Sequence, residues 1–215
     1  MRRAILGVLI LLTLVAATST VTEDQVRGLI TPLAGVDRAG IDKLKAMGPE
    51  VLPHLARIYS KSSEDDRAVL AWIMYSIGQK SPEARAVLLK DIETQNPKLR
   101  LQVQWALGRV SDDTEVVDIL AKIMIGDENP TFRDKAACAL AYDQIHLTEK
   151  QKVKLYGKLI DGLSDSKQQV RIIAIKALEI HTGQTKGFDP NGTDEDRRSS
   201  ITRWKVWLDT YEKNL

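Results

Sequence analysis

Apolar positions recur in a fixed register with four arginines along most of the chain. Arg67, Arg100, Arg133 and Arg171 are separated by 33, 33 and 38 residues, and each is followed at three, six and seven positions by an apolar residue. That spacing places the apolar side chains on one face of a helix. The pattern therefore predicts four amphipathic helices, each with one of these repeat arginines near its start.

An earlier amphipathic run precedes each of these helices. It closes eight positions before the arginine, at Tyr59, Ile92, Ile125 and Leu163. A capping residue followed by proline marks three helix starts, at Ser81-Pro82, Asn96-Pro97 and Asn129-Pro130. The sequence thus predicts four helix–turn–helix units, over residues 49–80, 81–111, 112–146 and 147–183. Because one helix pair cannot bury its apolar face alone, we expect the units to stack into an all-α solenoid.

The segments that flank the four units predict caps. Residues 23–48 contain one or two weaker amphipathic helices, which indicate an N-terminal cap or a degenerate repeat. Residues 184–215 form a polar loop and then a helix, with Ile201, Trp204 and Leu208 on one face. An end helix with a polar outer side would seal the last open face of a solenoid.

The combined pattern resembles HEAT-type repeats, in the broad sense that includes the bacterial HEAT-like repeats of phycobilisome lyases. The resemblance covers residues 49–183, and a proline at position 53 matches one that is common in the first helix of such a unit. It implies an armadillo-like helical superhelix in which the second helix of each unit lines the concave side. It leaves the function open, because this fold hosts scaffolds, carriers and a few enzymes.

The resemblance also implies a hydrogen-bonded ladder between units, built by the repeat arginines and an aspartate six residues before each. Asp127 and Asp165 stand at that spacing in the third and fourth units. Lys61 and Thr94 occupy the matching positions of the first two. We therefore expect the ladder in the C-terminal half, whereas the matching residues do not support it in the N-terminal half.

The first residues have the three-part plan of a secretory signal peptide. Arg2 and Arg3 supply the positive start, an uncharged apolar run follows, and small residues then favour cleavage after Ala17 or, second, Ser19. The run is shorter than the roughly 20 residues of a membrane-spanning helix. We expect residues 1–17 to be removed and the protein to be periplasmic or secreted, with no membrane span; the alternative is an uncleaved anchor.

Charge and cysteine content exclude several classes of protein. The chain has 31 basic and 29 acidic residues, and loss of Arg2 and Arg3 with the leader leaves 29 of each. This balance argues against a nucleic-acid binder. A single cysteine excludes a disulfide framework and a multi-cysteine zinc site, and Cys138 is predicted to be a small buried thiol in a tight helix contact.

No group of residues predicts catalysis, a metal site or a cofactor. His54, His146 and His181 lie in three different units, where solvated or capping roles are expected. The acidic loop that begins at Asp189 lacks the glycine and glutamate positions of an EF-hand. It is better explained as a turn followed by a helix cap at Thr193.

A stripe on the second helices gives the predicted partner site. Positions two, five and nine after each repeat arginine share a face roughly opposite the apolar one. The residues of this stripe that we expect to bind a partner are Trp72, Trp105, Arg109, Lys135, Tyr142 and Lys176. Trp, Tyr and Arg are typical anchors of protein interfaces. Trp72 and Trp105 either line this groove or pack between units.

The sequence therefore predicts an exported, non-enzymatic scaffold that holds a protein or peptide partner on its concave helical surface. Two alternatives stay open. One is a chromophore lyase or chaperone similar to the bilin lyases, which the family resemblance suggests. The other is a self-associating structural protein of the cell envelope.

Overall fold

The computed structural model describes residues 21–33, 36–143 and 147–215, with the side chains of residues 142 and 143 excepted. The predicted leader over residues 1–17 lies outside this part of the chain. The described residues form helices and no strands. The α-helices are α1 Glu23–Ile30, α2 Arg38–Ala46, α3 Val51–Tyr59, α4 Glu64–Ile77, α5 Pro82–Leu88, α6 Pro97–Val110, α7 Thr114–Gly126, α8 Pro130–Cys138, α9 Glu149–Gly162, α10 Gln168–Thr182 and α11 Asp194–Lys213.

Helices α3 to α10 form four pairs that stack in two layers. The second helices pack in series, α4 on α6, α6 on α8 and α8 on α10. In the layer of first helices, α3 packs on α5 and α7 on α9. One apolar core runs through all four pairs, from Val26 near the N-terminus to Trp204 in the last helix. The predicted all-α solenoid is confirmed.

The two flanking segments continue these layers. Helix α1 packs on α3 and helix α2 packs on α4, so the first two helices occupy the places of another unit. Helix α11 packs on α9, in the layer of first helices. It buries Ile201 and Trp204 there, and Leu208 approaches Gly157 of α9. Both ends of the stack are thus covered by elements that resemble parts of a unit.

The helix ends follow the capping residues of the sequence. Ser81 Oγ accepts a hydrogen bond from the Ala84 N–H at 3.1 Å, and Asn96 Oδ1 accepts one from the Leu99 N–H at 3.1 Å. In both cases a proline follows at the first helical position. Helix α10 is followed by Gly183, whose φ of +70° is a left-handed conformation that favours glycine. These contacts satisfy backbone groups that would otherwise be unpaired at the helix ends.

Helices α6 and α8 approach each other closely at the end of α8. Gly108 is buried, and a Cβ there would lie 2.8 Å from the Cβ of Ala139. Only glycine permits this approach. Ala139 begins a π-helical turn, Ala139–Asp143, that continues α8. The tight contact predicted at Cys138 therefore occurs one residue later, and Cys138 itself is half-buried.

The first two repeat arginines pair with carboxylates of the following unit. Arg67 Nε lies 2.9 Å from an oxygen of Asp91, which also accepts a hydrogen bond from the Tyr59 hydroxyl at 2.6 Å. Arg100 forms the corresponding ion pair with Asp127. Burial and the neighbouring Asp91 carboxylate raise the pKa of Tyr59 above its ordinary range. The ladder is therefore present in the N-terminal half, although Lys61 and Thr94 did not support it there. Asp91 supplies the carboxylate for Arg67.

The last two repeat arginines bind backbone carbonyls. Arg133 Nη1 donates to the carbonyl of Asp127 at 2.5 Å, and Arg171 Nη1 donates to that of Asp165 at 2.8 Å. Arg171 also donates from Nη2 to the Pro190 carbonyl at 3.0 Å, which joins the fourth unit to the C-terminal loop. The Asp165 carboxylate accepts the N–H of Lys167 within its own turn. In both units the aspartate six residues before the arginine thus accepts the hydrogen bond through its main-chain carbonyl and not through its carboxylate.

Contacts between aromatic rings join α11 to the fourth unit. Tyr156 contacts Trp207 and Tyr211 of α11, with ring centroids 5.5 and 5.7 Å apart, and contacts His181 at 5.9 Å. His181 Nε2 lies 3.0 Å from the Leu140 carbonyl oxygen. His181 is therefore a packing residue between α10 and the π-helical turn, contrary to the solvated or capping role expected for it. His146 lies outside the described residues.

We predict that Asp127→Asn lowers the free energy of unfolding by about 2 kcal/mol, because it removes the charge that pairs with the half-buried guanidinium of Arg100. The asparagine oxygen can still accept the N–H of Asn129, which isolates the effect of the ion pair. The matched control is Asp118→Asn, whose exposed pair with Lys158 should contribute about 0.5 kcal/mol or less. Urea denaturation measures both, and equal losses would contradict the ladder's contribution.

We also predict a pH-dependent stability that His181 controls. Burial lowers the pKa of His181 below its ordinary value of 6.5, so the unfolded chain takes up this proton at a higher pH than the folded chain. The stabilisation is complete above pH 6.5 and is lost as the pH falls through 6.5 towards the folded pKa. His181→Gln should flatten this dependence between about pH 7 and 5. An unchanged pH profile of the denaturation midpoint would exclude this role.

Candidate binding face on the second helices

The predicted stripe contains two exposed apolar residues at opposite ends of the stack. Trp72 on α4 is 36% exposed and Ile180 on α10 is 38% exposed. Between them lie the remaining described residues of the stripe. We call the surface formed by Trp72, Trp105, Arg109, Lys135, Lys176 and Ile180 the second-helix face. It crosses all four units, since the second helices pack in series.

A stack of rings and cations joins three units at the centre of this face. Trp105 of α6 stacks on Tyr75 of α4, with centroids 5.5 Å apart and planes 19° from parallel. The Lys135 ammonium of α8 lies 3.5 Å from the Trp105 centroid, and the Arg109 guanidinium lies 4.8 Å from that of Tyr75. Cations placed over ring faces are attracted by the π electrons. These contacts hold the two cations in fixed positions.

The two tryptophans of the predicted stripe differ in their exposure to solvent. Trp72 is exposed, whereas Trp105 is half-buried and packs between units. Lys135 lies against Trp105, while Lys176 is exposed two helices further along the chain. Tyr142, also predicted for this site, has a side chain outside the described residues. The residues of the stripe therefore lie along one layer, and their role in partner binding stays a prediction.

Tyr75 belongs to this site although the stripe rule omits it. It stands eight positions after Arg67, between the stripe offsets of five and nine. Helix periodicity alone therefore places it at the edge of the face. Its stacking on Trp105 depends on the stagger between α4 and α6, and a single sequence carries no signal for that stagger.

A small cavity opens on this face between the third and fourth units. It measures about 130 Å³. Its apolar wall and floor are formed by Ala137, Cys138, Ala141, Ile173, Ala177 and Ile180. Two charged side chains, Asp134 and Lys176, also line it. The cavity therefore offers apolar contact with one carboxylate and one ammonium group beside it.

The charge of the second helices changes along the stack. At the N-terminal end, Asp65 and Asp66 of α4 line a shallow depression together with Val69 and Lys98. Helix α6 contains basic residues and no acidic ones over Pro97–Val110. Cations therefore predominate at the centre of the second-helix face, around Trp105.

The side chains of this face are aromatic, apolar and charged. Among the described residues, no group of three His, Cys, Asp or Glu side chains is arranged to hold a metal ion. The strongest pKa changes belong to Tyr59 in the ladder and Tyr211 on α11, away from this face. None of the described helices has the length and apolar content needed to cross a bilayer. This face can contact another molecule through ring stacking, apolar burial and ionic contacts.

Comparison with known proteins agrees with this architecture. Residues 52–141 match the family model of HEAT repeats, which confirms the resemblance seen in the repeat pattern. No curated protein matches the chain.

The chain is also similar to solved structures. A designed armadillo repeat protein in complex with the peptide (KR)4 aligns with a TM-score of 0.53 and 17% identity, over 86% of this chain and 82% of that one. An engineered protein aligns with a TM-score of 0.50 and 15% identity, over 87% and 92%. The complex of CpcE and CpcF of phycocyanin lyase from Nostoc sp. PCC7120 aligns with a TM-score of 0.46 and 18% identity, over 72% and 98%. At these identities the likeness concerns the fold alone.

We predict that Trp72 dominates collisional quenching of the protein's fluorescence by acrylamide. It is more exposed than Trp105 and Trp207, which are half-buried, and than the fully buried Trp204. Trp72→Phe should lower the Stern–Volmer slope clearly. Trp105→Phe, the matched control on the next second helix, should change it less. A slope that is insensitive to the change at position 72 would show that this side chain is covered in solution.

Proposed function

Since residues 52–141 match HEAT repeats, we propose that the protein is a non-enzymatic binding module that holds a protein or peptide on its second-helix face. The observation that carries this proposal is the ordered stack of Tyr75, Trp105, Lys135 and Arg109 beside the exposed Trp72. Large rings and guanidinium groups contribute most to protein interfaces when they are rigid before binding. Here their positions are fixed by contacts within the protein.

Two further observations support the same role. The designed armadillo protein that shares this fold was solved with a bound peptide. In addition, Trp72 and Lys176 stand at the same register, five positions after their repeat arginines, and both are exposed. The packing of units therefore does not require an aromatic residue at this position. A tryptophan there is better explained by contact with a partner.

Export is part of the proposal and rests on the leader sequence. The two arginines, the apolar run and the small residues up to Ala17 follow the plan of a signal peptide. The single cysteine in the chain agrees with a protein that works in an oxidising compartment. N-terminal sequencing of the protein from its native cells would test this: a first residue at Thr18 or Thr20 is expected.

The binding role is tested by a photoreactive amino acid placed at position 72, with the same residue at position 206 as the matched control. Val206 is 62% exposed on α11, outside the second-helix face. We expect crosslinks to a second protein from position 72 and not from position 206. Trp72→Ala should lower partner recovery about tenfold, as loss of an interface anchor does.

Other results would point to the alternatives. Equal crosslinking from positions 72 and 206 would exclude the second-helix face as the binding site. Crosslinks from position 72 only to another copy of the chain would indicate a self-associating structural protein. A bound pigment with visible absorbance would indicate the lyase-like activity.

A further inference from the structure

We propose that the partner on the second-helix face is an extended acidic peptide segment, and that one of its aliphatic side chains fills the cavity between the third and fourth units. This inference rests on the proposed function and specifies its ligand. Three features of the described residues carry it: the size of the cavity, the cations of the face and the spacing of the helices.

The cavity has the size of a single side chain. It measures about 130 Å³, whereas sites for drug-sized ligands measure about 300–1,000 Å³. Ala137, Ala141 and Ala177 leave space where longer side chains would fill it, and Ile173 and Ile180 supply apolar contact. An aliphatic group that enters this space loses contact with water on most sides, which is favourable. An aliphatic anchor of a larger ligand therefore fits better than a free small molecule.

Two lysines on neighbouring second helices favour a partner with carboxylates. Lys176 lines the cavity, and Lys135 lies on the preceding second helix against Trp105. Neither ammonium group forms an ion pair with another described residue. Asp134 also lines the cavity but forms no salt bridge there with Lys176. Asp134 accepts main-chain N–H groups of the segment, while the two lysines bind its acidic side chains.

The distance between neighbouring second helices sets the spacing of the acidic residues. Packed helices lie 8–10 Å apart, and an extended chain advances about 3.3 Å per residue. An extended segment that crosses the stack therefore passes from one unit to the next in about three residues. Because the Lys135 ammonium lies over Trp105 of α6, one to two helix spacings from Lys176 on α10, carboxylates that reach the two lysines are expected about three to six residues apart. The aliphatic anchor lies close to the residue that binds Lys176.

Fluorescence anisotropy with three labelled peptide pools tests this inference on the purified protein. Each pool has 12 positions with a central leucine and a glutamate, glutamine or lysine at every third position, and small uncharged residues elsewhere. We expect the glutamate pool to bind about tenfold more tightly than the lysine pool, with the glutamine pool between them, since several exposed charge pairs change sign. Added salt should reduce this difference.

Matched lysine variants locate the site. Lys135→Gln/Lys176→Gln should weaken binding of the glutamate pool about threefold or more and remove the preference among the pools. Lys122→Gln/Lys154→Gln makes the same change on exposed lysines of the first helices in the same two units, and should leave affinity unchanged. Cys138→Leu fills the cavity from its wall and should weaken all three pools. If Cys138→Leu unfolds the protein, the two lysine double variants alone test the inference.

Each contrary result has a distinct meaning. A tighter lysine pool, or equal effects of the two double variants, would overturn the acidic ligand while the crosslinks from position 72 could still stand. No binding by any pool would likewise overturn this inference, and loss of those crosslinks as well would overturn the proposed function. Tighter binding of a labelled single-stranded oligonucleotide than of the glutamate pool would assign the lysines to phosphate recognition.

Discussion

The structure depends on the fact that a pair of short helices cannot bury its own apolar side. Each unit of α3–α10 hides that side only by packing against its neighbours, and one core therefore runs through the whole stack. The same constraint explains the flanks. Helices α1 and α2 extend both layers at one end, and α11 covers α9 at the other with Trp204 fully buried. Without such end elements the terminal units would expose apolar surface.

Two of the repeat arginines, Arg67 and Arg100, give this non-directional packing a fixed register between units. A guanidinium that is largely shielded from water must find acceptors for its fixed fork of donors. Carboxylates of the following unit supply them for Arg67 and Arg100, and turn carbonyls supply them for Arg133 and Arg171. A unit that slipped along its neighbour would leave the charges of Arg67 and Arg100 shielded and unpaired, which costs several kcal/mol. Arg67 and Arg100 thus specify where one unit sits on the next.

The sequence predicted what depends on helix periodicity and missed what depends on the stagger between units. The repeat spacing located the helix pairs, and the cap residues located the helix starts. Asp91 was missed because it stands nine residues before Arg100, on a 3₁₀ turn that follows a shortened α5. The close contact of Gly108 with Ala139 and the stacking of Tyr75 on Trp105 were missed for a related reason. These contacts join residues about 30 apart in the chain, and their partners are fixed by the relative position of two units.

The two sides of each second helix differ in how strongly packing constrains their residues. On the core side, positions three, six and seven after the repeat arginine are apolar in every unit, because neighbouring units must pack there. On the other side, the position five residues after the arginine is tryptophan in the first two units, then cysteine and then lysine. Packing tolerates all three types at this register. The two ends of the surface therefore differ chemically: tryptophan rings lie at one end, and a lysine and a cavity lie at the other. Because the charge is nearly balanced, the proposed binding of a partner depends on this local arrangement rather than on the net charge.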